Sequence, residues 1–408
     1  MLKDSVVFFT GNMLTAFVGL ILTIVMARLM GPVEYGIFGT LVGLMYFMII
    51  PVGALDLLIT KTVSSFDNNQ VLGRTKLFLN YLLQKTLPIF VIFLIILVVL
   101  TIPLKNYLHL DSVTSLLLLW IVVFLSIAST IFSSTLKGLL RFTPVTVNLI
   151  LSMVVRILVS ISVIYTILNS HLGGMVGIIM AALFGVVLYI YLLKDVWISS
   201  VENIDNKSLG LKKMGIFALL ISGAFTAMYS LDMIFVRHYL DGYQSGIYAS
   251  LSTAGKMIFF AISPVAALVL PIVSKKANKP SATRKDLIVL TLIIMSIGIS
   301  GSVAFFIFPK LIVNTIFSNK FGDAAIYLPL FGLVMLAYSL SNIFGSFLMG
   351  LNEFKSIWIV LSALVFQIVL INIFHSNIFQ IIISMGLVFF VQSVILFGYC
   401  WYATRQTD

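Results

Sequence analysis

Twelve stretches of mostly apolar residues, separated by short polar segments, account for nearly the whole chain. Each approaches the roughly 20 apolar residues that a helix needs to cross the hydrocarbon core of a bilayer. We therefore predict an all-α integral membrane protein with twelve transmembrane helices. The predicted spans cover residues 5–28, 36–60, 77–101, 113–136, 145–168, 174–193, 214–236, 245–272, 287–308, 325–349, 356–375 and 378–402.

The chain also contains an internal repeat. Ser129–Phe142 aligns with Ser341–Phe354 at an offset of 212 residues, with 8 of 14 positions identical. Two shorter matches occur in the same order, at offsets of 213 and 210: Pro51 with Pro264, and Gly36 with Gly246. The repeat predicts two related halves of six spans each, both entering the membrane in the same direction.

This organisation predicts three parts. An N-terminal six-helix bundle covers residues 1–194, a cytoplasmic linker covers 195–213, and a C-terminal six-helix bundle covers 214–408. Duplicated membrane proteins usually place their site between the two halves. We therefore expect two parallel-repeat bundles around a central cavity.

The composition agrees with burial in lipid. The chain of 408 residues is 61% hydrophobic and only 10% charged, whereas soluble domains carry about 25% charged residues. The net charge of +11 does not indicate nucleic acid, because the basic residues lie mostly in short loops. The single cysteine, Cys400, excludes an internal disulfide.

The basic residues predict the orientation in the membrane. Of the 25 Lys and Arg residues, 18 lie at the termini or in the loops on the same side, and two, Arg156 and Lys256, lie within spans. The opposite loops hold Arg28, Lys105, Arg237, Lys310 and Lys320. By the positive-inside rule both termini are cytoplasmic, and we expect the protein in the cytoplasmic (inner) membrane.

Three cations within spans are candidate substrate-binding residues. Arg156 lies near the centre of the fifth span, Lys256 lies in a Ser- and Gly-rich part of the eighth, and Lys85 lies less deep in the third. A charge at mid-membrane costs about 2.5–3.5 kcal/mol on insertion scales, so each one requires a functional or structural reason. Either these residues line a cationic cavity, or acidic neighbours and backbone carbonyls satisfy them.

Two acidic residues, Asp56 and Asp232, lie within the second and seventh spans. Either could bind a proton or cation for coupling, and either could instead form an ion pair with Arg156, Lys256, Lys61 or Arg237. Arg28 and Arg237 belong to the same group of coupling or ion-pair candidates. Proline removes an amide donor and bends a helix, so the matched Pro51 and Pro264 predict helix breaks, which mark either a binding site or inherited packing.

The motifs of several enzyme classes are missing from the sequence. It has no Walker A pattern and no Gly-x-Ser-x-Gly motif. The four histidines lie near loops at unrelated spacing, so we expect no metal site. These observations favour a transporter over an enzyme, with no cofactor beyond a coupling ion such as H+ or Na+.

The segment Ala27–Phe38 carries the pattern A-R-L-hydrophobic-G-P-x-E-Y-G-hydrophobic-F. This pattern resembles polysaccharide-repeat-unit flippases of the multidrug/oligosaccharidyl-lipid/polysaccharide exporter superfamily. The order of Asp232, Ser245–Ala249 and Lys256 is similar to the same family. In contrast, Asp241–Gln244 keeps little of the Gly-Pro-x-Glu turn. The motif itself predicts a helix–loop–helix turn, because Gly31 and Pro32 stop the first helix.

The resemblance implies alternating access and transfer of a lipid-diphosphate-linked oligosaccharide, of the undecaprenyl type, from the inner to the outer leaflet. It implies a role in O-antigen, lipopolysaccharide or exopolysaccharide synthesis, with membrane lipids, a polysaccharide polymerase and chain-length machinery as partners. Two alternatives remain open: a cation-coupled drug or metabolite antiporter of the same superfamily, and a membrane polysaccharide polymerase. An acidic cavity would favour the antiporter. A large external loop or a cluster of carboxylates would be needed for the polymerase.

Overall fold

The computed structural model describes residues 2–66, 71–167, 170–199, 213–276 and 280–405. Within these ranges the chain is almost entirely helical and contains no β-strand. Eleven of the described helices are long and apolar enough to cross a membrane, and a pair of helices bent by 44° would make a twelfth span. The prediction of an all-α, multi-pass membrane protein is confirmed.

The described helices follow one another, most of them with short connections. They are α1 (Leu2–Met30), α2 (Pro32–Met48), α3 (Ile50–Ser64), α4 (Val71–Tyr107), α5 (Thr114–Gly138), α6 (Phe142–Ile167), α7 (His171–Leu192), α8 (Lys194–Ile198), α9 (Lys213–Tyr239), α10 (Gly242–Lys276), α11 (Pro280–Ile307), α12 (Pro309–Ile316), α13 (Ala324–Gly350), α14 (Ser356–Ile373) and α15 (Ile378–Ala403). A 3-10 turn, Asn319–Phe321, precedes α13.

The chain forms two compact units. The first comprises Met1–Met30 and Leu44–Gly215, and the second comprises Gly31–Gly43 and Ile216–Asp408. In the first unit α6 packs against both α1 and α7, and α5 packs against α3, α4 and α7. In the second unit α13 packs against α10, α11 and α15. The first part of α2 therefore packs with the second unit, although the sequence placed it in the first bundle.

The predicted bundle limits at 194 and 214 remain a prediction. Most of the predicted linker, residues 200–212, lies outside the described residues. The short helices α8 and α12 were not predicted, because the span criterion of about 20 apolar residues does not detect helices of 5 and 8 residues.

The two matched prolines have different local structures. Pro51 follows the bend between α2 and α3 and is the second residue of α3, a position where a missing amide costs nothing. Pro264 lies within α10, which continues from Gly242 to Lys276. A helix break is therefore present at Pro51, whereas at Pro264 the helix does not end. Membrane helices tolerate an internal proline where neighbouring groups satisfy the freed carbonyl.

The internal repeat is reproduced in the backbone. Helices α5 and α13 end at the equivalent positions Gly138 and Gly350. Two residues later, Leu140 and Asn352 have left-handed φ angles of 59° and 62°. The amide that follows each of them bonds a carbonyl five residues earlier at 2.9 Å, as in a Schellman-type helix end.

The turn of the Ala27–Phe38 motif has the predicted form. Gly31 has a φ of +78° between α1 and α2, and Pro32 is the first residue of α2. Tyr35 is fully buried, and its hydroxyl lies 2.7 Å from Thr253 Oγ1 on α10. This hydrogen bond holds the start of α2 in the second unit.

Beside this turn α2 and α10 approach backbone to backbone. A Cβ added to Gly36 would lie 2.7 Å from the amide nitrogen of Gly246, and one added to Gly246 would lie 1.9 Å from the carbonyl oxygen of Pro32. Gly36 and Gly246 are the residues that the internal repeat pairs. Only glycine permits such a short separation between two helix backbones.

We predict that Leu140→Asn stabilises the protein by about 1 kcal/mol, because a non-glycine residue with a branched side chain pays about 1–2 kcal/mol in the left-handed region and asparagine pays less. Leu140 is 49% exposed, so little buried area is lost. The measurement is the thermal unfolding midpoint in detergent. The reverse change at the equivalent position, Asn352→Leu, should destabilise by a similar amount. A lower midpoint for Leu140→Asn would contradict the prediction that the left-handed backbone of Leu140 is strained.

We predict that Gly246→Ala destabilises the protein by about 1–3 kcal/mol, the usual cost of overpacking, because the new methyl group has no space beside Pro32. The matched control is Gly398→Ala, where a Cβ meets no atom within 4 Å and alanine favours the helix. Unfolding midpoints of the two variants check this. Equal midpoints would show that α2 and α10 separate at no cost.

Candidate functional site

Arg156 lies near the middle of α6 in the first unit. Its side chain is half-buried, and its Nε is shielded from solvent with no hydrogen-bond partner among the described residues. Tyr46 is close enough to interact with it electrostatically. No ion pair to a described carboxylate neutralises this guanidinium, so it retains donors for a ligand.

Arg156 belongs to a polar row along α6. Asn148, Ser152, Arg156 and Ser160 recur every four residues, a spacing that places them on one helix face. Asn148 Nδ2 donates to the carbonyl oxygen of Gly185 at 2.7 Å, and Ser152 Oγ donates to Asn148 Oδ1 at 2.8 Å. The side chains of Asn148 and Ser152 thus have hydrogen-bond partners within the protein.

Small residues of α7 pack against this row. A Cβ on Gly177 would lie 1.8 Å from Ser160 Oγ, and a Cβ on Gly185 would lie 2.9 Å from Ser152 Oγ. Close approach through glycines is typical of helix pairs in membranes. The backbone of α7 therefore packs closely against the face of α6 that carries Ser152 and Ser160.

Asp56 is held in an ion pair. Its Oδ1 accepts from Lys137 Nζ and from Ser134 Oγ, both on α5. The partners expected from the sequence were Arg156, Lys256, Lys61 or Arg237. The structure pairs Asp56 with Lys137 instead. The sequence does not reveal Lys137 as the partner, because it does not show that α5 packs against α3.

Two further cations of the first unit have exposed side chains. Lys85 lies on α4 and is exposed, as expected for a lysine that reaches towards the membrane surface. Arg28 lies in the last turn of α1 and is also exposed. The structure does not bring either residue into a hydrogen bond with Asp56.

Asp232 lies on α9 in the second unit and is only 2% exposed. Its Oδ2 accepts a hydrogen bond from the hydroxyl of Tyr248 at 2.8 Å. Its Oδ1 is buried with no hydrogen-bond partner among the described residues. A buried carboxylate with one unsatisfied oxygen costs free energy unless a cation or proton binds there.

Lys256 lies on α10, close enough to Asp232 to interact electrostatically. Within the described ranges, however, the two residues form no ion pair. The ammonium instead lies over the ring of Tyr229, with Nζ 4.0 Å from the ring centroid. This distance is typical of a cation–π interaction.

Two further rings hold Tyr229 in position. The ring centroids of Tyr229, Phe259 and Tyr338 lie 5.4–5.8 Å from one another. Tyr338 is anchored by its hydroxyl, which donates to the carbonyl oxygen of Phe225 at 3.0 Å. We call the three rings and Asp232 the α9–α10 cation site. Arg237, on the same helix as Asp232, is buried, and a Cβ on Gly242 would lie 3.2 Å from one of its terminal nitrogens.

The aromatic residues of this site are not evident from the sequence. With 33 Phe, 15 Tyr and 4 Trp in the chain, composition does not distinguish a functional ring from one that fills the core. The positions of Tyr229 and Asp232, three apart on one helix, were the available signal, because residues at this spacing share a face.

A second ion pair lies outside the spans. Arg141 Nη2 lies 2.5 Å from Asp195 Oδ2 on α8, and this hydrogen bond is the main cause that lowers the pKa of the Asp195 carboxyl below its usual value. Both side chains are more than a third exposed, so the pair fixes the position of α8 more than it stabilises the fold.

The fold is one that a class of membrane transporters shares. The chain is similar to a multidrug resistance transporter of the MATE family of the MOP superfamily, in an inward-facing conformation, with a TM-score of 0.78 and 12% identity over 98% of both chains. A profile of the family described as polysaccharide biosynthesis proteins matches residues 1–277. The chain belongs to this family, and the family recognised from the sequence is confirmed.

Other relatives share the fold or part of the sequence. The chain is similar to the lipid II flippase MurJ (TM-score 0.68, 14% identity, 98% of this chain and 87% of that one). It is also similar to a MOP superfamily transporter from Pyrococcus furiosus (TM-score 0.64, 13% identity, 99% and 94%). An uncharacterized membrane protein of Methanocaldococcus jannaschii is 25% identical over 273 residues, which is 63% of this chain and 64% of that relative.

We predict that Lys137→Met destabilises the protein by about 1 kcal/mol, because it leaves a partly exposed carboxylate without its cation. The double change Asp56→Val with Lys137→Met should recover most of this loss. These apolar residues stand at the equivalent positions of the second half, Val269 and Met349. Unfolding midpoints of the four proteins in the cycle give the coupling. If the losses of stability in the two single variants simply add in the double variant, the ion pair does not contribute to stability.

Proposed function

We propose that this protein is a flippase that moves a lipid-diphosphate-linked oligosaccharide from the inner to the outer leaflet of the cytoplasmic membrane, with both termini in the cytoplasm. The substrate class is that of undecaprenyl-type carriers in O-antigen, lipopolysaccharide or exopolysaccharide synthesis. A polymerase and chain-length machinery would receive the product. Membership of the polysaccharide biosynthesis family supports this proposal.

The observation that carries the proposal is the guanidinium of Arg156. It lies in an apolar helix, half-buried, and no described carboxylate pairs with it. An unneutralised charge at this depth is costly and is usually functional. A diphosphate supplies the acceptors that Arg156 lacks, and charge-assisted hydrogen bonds to phosphate are short and strong.

Lys256 supports the same reading in the second unit. Its ammonium is held by an aromatic ring and not by a carboxylate, so an incoming anion does not have to break an ion pair. Lys85, whose side chain is exposed, is proposed as a third contact near the membrane surface. Each of these residues is proposed as a contact for the diphosphate within its own unit, while the lipid tail stays in the bilayer and avoids the cost of crossing water.

A second candidate function is a cation-coupled antiporter of the same superfamily. The unpartnered Oδ1 of Asp232 favours it, because a buried carboxylate oxygen is suited to a proton or cation. The fold similarity to a multidrug resistance transporter is compatible with it. The two basic residues within the spans argue against it, because they would repel a cationic substrate.

We predict that Arg156→Ala lowers the flipping rate by about 10- to 100-fold, since hydrogen bonds to a charged group contribute about 1.5–3 kcal/mol. Purified protein is reconstituted in liposomes with a lipid-diphosphate oligosaccharide, and the accessibility of the glycan to an external sugar-modifying enzyme is followed. Lys285→Ala, which removes an exposed cation, is the matched control and should transport normally.

Normal flipping by Arg156→Ala would refute the role of this residue. If the wild-type protein moves none of several glycans but carries a small organic cation against an H+ or Na+ gradient, the antiporter is the correct function.

A further inference from the structure

The α9–α10 cation site has the chemistry of a ligand site for an ammonium group. An aromatic face recognises such groups, and a nearby carboxylate adds charge attraction. Tyr229 provides the face, at 4.0 Å from the Lys256 ammonium. Asp232 provides a carboxyl group that is 2% exposed and has a free Oδ1.

Lys256 fills this site without being fixed in it. An ammonium has three donors, yet the described residues accept no hydrogen bond from Lys256 Nζ, and its contact is the ring of Tyr229. Tyr248 already occupies Oδ2 of Asp232 at 2.8 Å and also contacts Met385 Sδ at 3.0 Å. The other carboxylate oxygen therefore remains available for a cation.

The site is built independently of Lys256. Tyr338 is tied to Phe225 by a 3.0 Å hydrogen bond and packs against Phe389 at 5.2 Å between ring centroids. Tyr229 stacks on Tyr338 with an interplanar angle of 26°. Shortening Lys256 would leave these groups in place around a vacant volume of the size of an alkylammonium ion.

We propose that the α9–α10 cation site binds a primary alkylammonium group, that the Lys256 side chain occupies it as a tethered ligand, and that a free alkylammonium ion binds there when Lys256 is shortened. This binding does not depend on the proposed flippase activity. Wild-type protein, with the site filled, does not take up the free ion.

The probe is n-propylammonium, whose four heavy atoms replace Cγ, Cδ, Cε and Nζ of the lysine in Lys256→Ala. Binding is measured by isothermal titration calorimetry on the full-length protein in detergent at constant ionic strength. We expect Lys256→Ala to bind n-propylammonium at least tenfold more tightly than the wild type. Adding Tyr229→Leu should abolish the gain.

Two controls separate this site from a cavity of any kind. Lys285→Ala removes an exposed lysine and should gain no affinity. 1-Propanol, which has the same length without the charge, should not bind to Lys256→Ala. Unchanged affinity of Lys256→Ala, or a gain that survives Tyr229→Leu, would overturn the proposal, as would equal binding of 1-propanol.

Folding of the variant provides a second measurement. If Lys256→Ala unfolds during purification, the same preparation is made with n-propylammonium present throughout. Recovery of folded protein with n-propylammonium, and not with 1-propanol, supports the site. No recovery would refute it. Because no transport is measured, failure here leaves the flippase proposal intact, and loss of flipping leaves this site intact.

Discussion

A charge within a membrane-spanning helix costs about 2.5–3.5 kcal/mol even by insertion scales, and three such charges have different surroundings in the structure. Asp56 is neutralised by Lys137. Lys256 is stabilised by an aromatic ring. Arg156 receives neither form of compensation from the described residues. The contacts separate a charge that an ion pair neutralises from one with no such partner among the described residues, which composition and depth alone do not do.

Much of the fold could be predicted from the sequence, because lipid imposes a simple rule. A backbone in hydrocarbon must satisfy its own hydrogen bonds, so runs of about 20 apolar residues become helices. The rule does not detect the short helices α8 and α12. It also does not predict that Gly31–Gly43 packs with the second unit. The candidate cations were found by their depth, but their partners were not. Lys137 lies 81 residues from Asp56, and no local pattern encodes that proximity. For Tyr229 the local signal is its spacing of three residues from Asp232.

The two halves share the backbone geometry at the ends of α5 and α13, whereas some of their charges differ. The helix end at Gly138 recurs at Gly350 with the same left-handed turn. In contrast, the Asp56–Lys137 ion pair has apolar counterparts, Val269 and Met349. Replacing an ion pair by apolar residues is often neutral for stability, so the halves could acquire separate electrostatic roles without altering their folds.

The packing of Gly31–Gly43, the first part of α2, with the second unit limits how this duplicated chain could have evolved. Gly31–Gly43 is encoded in the first half but packs with the second unit, through Tyr35 and through the contact of Gly36 with Gly246. A second half separated from the first would expose the face of α10 that this segment covers. Once the segment was incorporated, neither half could be exchanged between relatives by simple recombination at the central linker. A recombination event that preserved the fold would have to transfer Gly31–Gly43 together with α10, the helix that this segment contacts.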